Sequence, residues 1–305
     1  MVEVIIHIVL LIFGPLTLLG FIDRVKSRAA RRAGPPILQR WYDVAKLLRK
    51  GAVYSRTTTI FFKAGPMVAL ACTAIAALVV PLTGDKAPLS FCGDIFLFSG
   101  LLVLGRFAML LAAMDTGSAF EGMGASREAA FGAMAEPALF LVLLVATMPC
   151  GDASFSTAFS QMADTGGLTR DPGLLLAAIA FGAFLVTDLA RIPIDDPTTH
   201  LELTMIHEVV VLDHSGPDLA FVTIGYALRM WILSAIFVHL LIPVPSGAPL
   251  LAVGTMLAGQ FIVAIGVGIT ESVIARLRMT RIPQFLIAAS VIAAIGILVQ
   301  FLGVA

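Results

Sequence analysis

Residues 94–114 read Asp94-Ile95-Phe96-Leu97-Phe98-Ser99-Gly100-Leu101-Leu102-Val103-Leu104-Gly105-Arg106-Phe107-Ala108-Met109-Leu110-Leu111-Ala112-Ala113-Met114. After Asp94 the run carries one charge, Arg106, and it is long enough to cross a bilayer, which takes about 20 mainly apolar residues. The apolar residues do not alternate with polar ones, so a barrel strand is a poor reading and a helix a good one. Comparable runs lie at 4–22, 60–81, 129–149, 173–194, 219–242, 248–271 and 284–303. The sequence therefore predicts an all-α polytopic membrane protein: eight transmembrane helices in a single integral membrane domain over 1–305. Composition agrees. Of 305 residues, 59 % are hydrophobic and 13 % charged, against about half and about a quarter in soluble proteins. The mean hydropathy is +0.98. A water-soluble globule, a disordered chain and a disulfide-built secreted scaffold are excluded. Gly14-Pro15 and Pro137 fall inside spans, where neighbouring helices can satisfy the freed backbone groups.

Lys plus Arg and Asp plus Glu both total 20, so the net charge is zero and placement carries the information. The segment 23–63 holds Arg24, Lys26, Arg28, Arg31, Arg32, Arg40, Lys46, Arg49, Lys50, Arg56 and Lys63, opposed by Asp23 and Asp43 alone. With that segment on the cytoplasmic side, Arg127, Arg191, Arg276, Arg278 and Arg281 are cytoplasmic too. Lys86 and Arg170 lie outside, and Arg106 and Arg229 fall within spans. That distribution sets the orientation, and both termini are expected on the outer face of a bacterial or archaeal cytoplasmic membrane. The first span is not expected to be a cleaved leader, because its first charge is Glu3 and the basic cluster follows it. Cys72, Cys92 and Cys150 form no CxxC pair, so the chain is expected to bind no iron–sulfur cluster or zinc by itself. Cys92 and Cys150 both fall near the outer face; two reduced thiols are favoured over a bridge.

Within 23–63, Gly34-Pro35-Pro36 precedes Ile37, Leu38, Trp41, Val44, Ala45 and Leu48 at helical spacing, with Arg40, Asp43, Lys46 and Lys50 on other faces. Pro36 suits a helix start. An amphipathic helix in the membrane interface is expected, either an anionic-lipid anchor or a docking surface for a cytoplasmic partner. The inside segment 115–128 carries Asp115, Glu121 and Glu128 with Gly117, Gly122 and Gly124, and reads as an irregular loop. Glu136, two turns into the fourth span beside Pro137, is the sharpest single residue. An intramembrane carboxylate needs a partner or water and is a functional candidate by default. Arg106 and Arg229 are its candidate partners. Asp188 and Glu271, near the inner ends of spans five and seven, either snorkel to water or act. His7 and His239, near the outer ends, read as packing residues. The inside loop 195–218 is the most polar. Asp196-Pro197-Thr198-Thr199 suits a helix start, with a short helix over 199–212. His200, His207 and His214 recur every seven residues, a poor zinc spacing, so no metal site is expected. With Glu202 and Glu208 they form a titratable cluster suited to carrying protons near neutral pH.

Four blocks make the sequence resemble a known family. The first is Arg31-Arg32-Ala33-Gly34-Pro35 through Leu38-Gln39 to Asp43 and Lys46-Leu47-Leu48. The second is Gly105-Arg106-Phe107, Asp115-Thr116-Gly117-Ser118 and Gly124-Ala125-Ser126-Arg127-Glu128, ending at Glu136-Pro137. The third is Ile192-Pro193-Ile194-Asp195 with Glu202-Leu203 and Ser215-Gly216, and the fourth Glu271-Ser272 with Ala275-Arg276. In this order, on eight spans, they resemble the membrane subunit shared by formate hydrogenlyase, energy-converting membrane-bound [NiFe]-hydrogenases and respiratory complex I, where it is the heel subunit beside the quinone site. The second block is similar to the hydrogenase side of that family. Where formate-hydrogenlyase and complex I subunits carry a run of glutamates, this chain has Thr198, Thr199 and His200 before Glu202, closer to the membrane-bound hydrogenase branches.

The resemblance implies a subunit with no redox centre or catalytic residue of its own. It would sit under hydrogenase-like large and small subunits and an iron–sulfur subunit, beside antiporter-like membrane subunits and lipid. The [NiFe] centre and iron–sulfur clusters would belong to those partners, and nucleic acid is not an expected partner. Its acids would link electron transfer, ending in proton reduction to H2, to proton or sodium movement. Glu136, Glu128, Glu202, Glu208, Asp188 and Glu271 are the expected path residues. Arg106, Arg127, Arg229, His200 and His207 would pair or tune them. Arg31, Arg32, Gly34, Pro35, Asp43 and Lys46 would serve docking. The alternatives are a heel subunit of a nickel-free or quinone-reactive relative, and a passive membrane anchor.

Overall fold

In the computed structural model the described residues are 2–83, 86–166, 171–195, 205–245 and 247–303. Among them the chain is helical: α1 (Val2–Ala29), α2 (Gln39–Leu48), α3 (Ile60–Val79), α4 (Asp94–Asp115), α5 (Ala119–Thr147), α6 (Phe155–Thr165), α7 (Pro172–Asp188), α8 (His207–Val210), α9 (Pro217–Leu241), α10 (Pro249–Val273) and α11 (Ile282–Phe301). Seven of these are long and apolar enough to cross a membrane, as the apolar runs require, and the chain is a multi-pass membrane protein. The run expected to span over 173–194 forms α7 instead, 17 residues ending at Asp188. The chain turns there because Ala190 takes a left-handed φ of 44° and Pro193 follows.

The starts have local causes. Pro172, Pro217 and Pro249 open their helices at the first turn, where a missing N–H costs nothing. The Asp171 carboxylate accepts from the Gly173 and Leu174 N–H groups. Thr59 caps α3, and Asp115 at the end of α4 accepts from the Thr59 N–H (2.6 Å), the Thr59 hydroxyl (2.8 Å) and the Phe62 N–H (3.3 Å).

In lipid, helices associate through close packing and hydrogen bonds rather than water exclusion. α3 pairs along its length with α4, α11 lies against α5 and α7, and α9 is central, touching α1, α2, α3, α7 and α10. Fully buried Phe98, Phe155, Phe181 and Phe184 fill the interior. His7 and His239 are packing residues, as their isolation suggests. Each is buried with Nε2 near a carbonyl, Ala77 O at 3.1 Å and Pro81 O at 2.9 Å. Cys72, Cys92 and Cys150 are free. Contacts of Thr59 with Asp115, Val53 with Ser215, and Glu271 with Lys26 and Arg191 gather one end of the bundle. This is the basic end of the bundle.

Three segments differ from the sequence reading. The expected irregular loop over 115–128 is helical from Ala119 onward, so Glu136 lies nearly five turns into α5. Gly117 lies in the turn before the helix at a φ of 69°, and Gly124 sits under Val209 and Val210 instead of breaking the helix. The segment read as an amphipathic helix forms a helix from Gln39 onward, later than Pro36, after a turn closed by the Gln39 N–H on Pro36 O. Val44 is its buried residue, and Trp41 packs on Phe13 with ring centroids 5.7 Å apart. α6 was not expected. It buries Phe155, Ala158, Phe159 and Met162, spaced as one helical stripe, and the buried Asp94 carboxylate anchors its start through Ser154 Oγ and the Phe155 N–H. Of the expected helix over 199–212, residues 199–204 lie outside the described residues and 207–210 are helical.

Candidate functional site

Arg106 on α4 stands inside the bundle with its side chain 8 % exposed. Its guanidinium meets three carboxylates: Glu136 at 2.6 Å, Asp188 at 2.6 Å and Glu128 at 3.3 Å. Asp188, whose side chain is wholly buried, is gripped from the other side by Arg229 of α9, with Nε on Oδ2 and Nη2 on Oδ1, both at 2.6 Å. Asp188 therefore does not snorkel: two guanidinium groups enclose it at the end of α7. The fit needs Gly132 on α5. A Cβ there would lie 2.6 Å from Arg106 Nη1 and 3.0 Å from its Cδ and Cζ, so any side chain would displace the guanidinium from its partners.

Charge counting gives the cluster its chemistry. Three carboxylates face two permanently charged guanidinium groups, leaving one negative charge when every acid is ionised. One proton neutralises the set. Such a cluster in low dielectric holds a proton or a cation on terms set by its geometry.

A second ion group lies at the basic end. Glu271 of α10, 2 % exposed at its side chain, bridges Lys26 of α1 (2.6 Å) and Arg191 (2.9 Å). Glu271 thus does not snorkel either. Arg191 Nε donates to the Tyr226 hydroxyl (2.8 Å), which donates to Leu189 O (3.0 Å). Burial works against the Arg191 charge, but Tyr226 and Glu271 outweigh it and raise the guanidinium above its ordinary range.

Cavities link the two groups. One of about 210 Å³ is lined by Asp23, Lys26, Arg191, Glu208 and Glu271, with His207 and Tyr226 on its inner wall. A smaller one of about 70 Å³ is lined by Arg106, Glu128, Asp188 and Arg229, again with His207 and Tyr226. His207 and Tyr226, with Val222, line both and so stand between the polar spaces. On the far side, a cavity of about 610 Å³ bounded by Phe96, Ser99 and Pro137 reaches Arg106, Glu136, Asp188 and Arg229.

Glu128, Glu136, Asp188, Arg106 and Arg229 of the sequence-derived set meet directly, and His207 lines their cavity. Glu208 is exposed on the larger basic-end cavity. Arg127 does not join the acids among the described residues. It donates to Met205 O (3.2 Å) and Met123 Sδ (3.1 Å), because on α5 it points toward the 205 segment instead of α4. Glu202 and His200 lie outside the described residues. Arg31, Arg32 and Lys46 are exposed, Asp43 accepts from Gln39 (3.0 Å), and the Gly34 and Pro35 carbonyls accept from Arg24. Sequence reasoning missed Asp195, which is buried and takes the Ile206 N–H (2.9 Å) and His207 N–H (3.1 Å) while facing Arg276 at 3.6 Å. It pins α8 in place. A carboxylate directly after Pro193-Ile194 was the available signal.

A family model described as NADH dehydrogenase matches residues 2–302. Formate hydrogenlyase subunit 4 of Escherichia coli (strain K12) is 30 % identical over 287 residues, covering 90 % of this chain and 91 % of that protein. Hydrogenase-4 component C of the same organism is 30 % identical over 236 residues, covering 77 % of this chain and 73 % of that protein. The fold is similar to a chain in the structure of the membrane-bound sulfane sulfur reductase, an archaeal respiratory membrane complex. The TM-score is 0.83 at 23 % identity, over 97 % of this chain and 98 % of that one.

Proposed function

We propose, taking as premise that the chain belongs to the NADH dehydrogenase family, that it is the ion-coupling and anchoring membrane subunit of a multisubunit hydrogenase-type or complex I-like assembly. One observation carries this reading: Asp188, fully buried, is shared by Arg106 and Arg229 in a set of three acids and two guanidinium groups that meets cavities on two sides. A passive anchor has no use for an intramembrane set one proton short of neutrality. Its relatives are named as subunits of a formate hydrogenlyase and a hydrogenase, which supports proton reduction to H2 as the partner chemistry. The nickel–iron centre and iron–sulfur clusters would reside in soluble partners seated on the exposed basic residues Arg31, Arg32 and Lys46. The basic end would be cytoplasmic, both termini outside, and α7 would count as the eighth crossing.

In this reading Glu271, Lys26, Arg191 and Glu208 frame a cytoplasmic vestibule. His207 and Tyr226 separate it from the Arg106 cluster, and Glu136 faces the far cavity. A proton or sodium ion arriving at Glu128 or Asp188 is exchanged against the guanidinium pairs and leaves past Glu136. The test is Glu136→Gln in membrane vesicles that retain the whole complex. Ion translocation is expected to fall to background while assembly and uncoupled electron transfer persist; unchanged translocation removes Glu136 from the mechanism.

A second reading has its own observation. An apolar cavity of about 680 Å³ opens between α1, α2, α3 and α9, lined by Ile12, Pro15, Trp41, Leu48, Ile75 and Leu228. It supports the quinone-reactive alternative, for which bound quinone released from the purified complex is the measurement.

A further inference from the structure

Glu121 lies seven residues before Glu128 on α5, two turns away on nearly the same face and about 10 Å closer to the basic end. It is completely buried. One carboxylate oxygen accepts the Asp213 N–H at 2.9 Å, and the other has no hydrogen-bond partner among the described residues. His214, the next residue after Asp213, is 4 % exposed, and its ring stacks on Phe62 with centroids 4.1 Å apart. Neither of its ring nitrogens is hydrogen-bonded among the described residues. Asp218, in the first turn of α9, is 5 % exposed, with one unpartnered carboxylate oxygen among the described residues.

Three buried side chains from neighbouring segments thus leave carboxylate acceptors and an imidazole unmatched. Buried polar atoms are matched almost everywhere in proteins, by protein or by water. Ions without counterions are costly there, whereas a shared proton removes the charge. Among the described residues no cation lies close to Glu121. Asp213 faces both Glu121 and His214. Thr116 faces Glu121, and Tyr54 faces Asp218. Asp115 is occupied by Thr59 and Phe62, and Lys63 lies over the Tyr54 ring at 4.6 Å.

Between this group and Glu128 stands an apolar plug. Val209 and Val210 of α8 press on Gly124, where a Cβ would lie 3.1 Å from Val209 and 3.2 Å from the Val210 N–H nitrogen. Val210 also packs with Ala113 and Ala125 and lines the 70 Å³ cavity holding Arg106 and Glu128.

We propose that Glu121, His214 and Asp218 form a proton-holding site at the basic end, the loading point for the Arg106 cluster, closed off from it by Val209 and Val210. This rests on the ion-coupling role proposed above. A proton is taken from cytoplasmic water by the His214 imidazole, passes to the Glu121 carboxylate, and moves to Glu128 when α8 lifts and water enters. Glu121 is then ionised and ready to reload. No electrons move in this sequence.

The experiment uses the intact complex in native lipid, with two readouts. Infrared difference spectra in light and heavy water report a buried protonated carboxyl group. Its band is expected to vanish in Glu121→Gln and to shift in His214→Phe, which keeps the stack on Phe62. Ion translocation in vesicles is expected to slow about tenfold or more in Glu121→Gln, in keeping with the loss of a proton-transfer group. A band unchanged in both variants overturns the site, even where Glu136→Gln abolishes translocation. Conversely, translocation that survives Glu136→Gln overturns the coupling role, while the carboxyl band still decides whether Glu121 holds a proton. If Glu121→Gln does not assemble, the band shift in His214→Phe decides alone: its absence refutes the proposal.

Discussion

Arg229 holds Asp188 with two hydrogen bonds of 2.6 Å, one to each carboxylate oxygen, while Arg106 takes the outer side of the same acid. The two-pronged grip requires a planar guanidinium. Arg229→Lys keeps the charge and loses the fork. The expected outcome is an assembled complex with sharply reduced coupled translocation, measured in vesicles beside its uncoupled electron-transfer rate. Equal loss of both rates would point to misassembly instead.

Asp188→Ala leaves two guanidinium groups facing each other across the space the acid filled. Removing one partner of a buried ion pair costs about 3–5 kcal/mol. Thermal unfolding of the purified complex should show destabilisation of that order. A loss below about 1 kcal/mol, the range of exposed pairs, would mean that water enters the cluster freely.

Gly132→Ala is the sharpest steric probe. Its methyl group would stand 2.6 Å from Arg106 Nη1, so the guanidinium must leave Glu136 or Asp188. A destabilisation of about 1–3 kcal/mol is expected from the overpacking, with translocation falling as in Arg229→Lys. Gly266→Ala, where nothing lies within 4 Å of an added Cβ, is the control and should change neither.

Acid should weaken the basic end through His214. Burial pushes its imidazole below the ordinary 6.5, outweighing Asp218 and Asp213. The unfolded chain therefore binds the proton first. The stabilisation from the neutral buried ring is complete above about pH 6.5 and is lost as pH falls from there toward the folded value. Unfolding midpoints recorded between pH 7.5 and 5 should decline for the native chain and flatten in His214→Phe.

Charge reversal of the exposed Arg31, Arg32 and Lys46 should release the soluble module without disturbing the bundle. Sedimentation of the module with membranes, followed across salt concentration, measures it. Salt-independent retention in the triple variant would place docking elsewhere.

Much of the bundle was legible because apolar runs of bilayer length leave the backbone few alternatives. Arg106, Glu136, Asp188 and Arg229 were legible as charges in such runs. Their pairing was not, since it joins residues 30 to 82 positions apart. The segment from Ala119 was misread because glycines at 122 and 124 weaken a helix locally, and packing by Val209 and Val210 lies 85 positions on. Glu121 passed as a loop residue for the same reason, while His214 was read with His200 and His207 as part of a titratable cluster, its burial against Phe62 being invisible in the sequence. Only the seven-residue step from Glu121 to Glu128 hinted at a shared helical face. α6 was hidden by its serines and threonines, although Phe155, Ala158, Phe159 and Met162 already traced a helical stripe.

The Asp115 carboxylate, which ties the start of α3 to the end of α4 through three donors, has a mechanical consequence. The two helices are fastened at that end and packed along their shared length, so they travel as one stiff arm carrying Arg106. Displacement between Arg106 and its acids must then come from α5 or α7 sliding past that arm. Under the ion-coupling role proposed above, a crosslink locking α5 to α4 should abolish translocation, whereas one locking α3 to α4 should leave it intact.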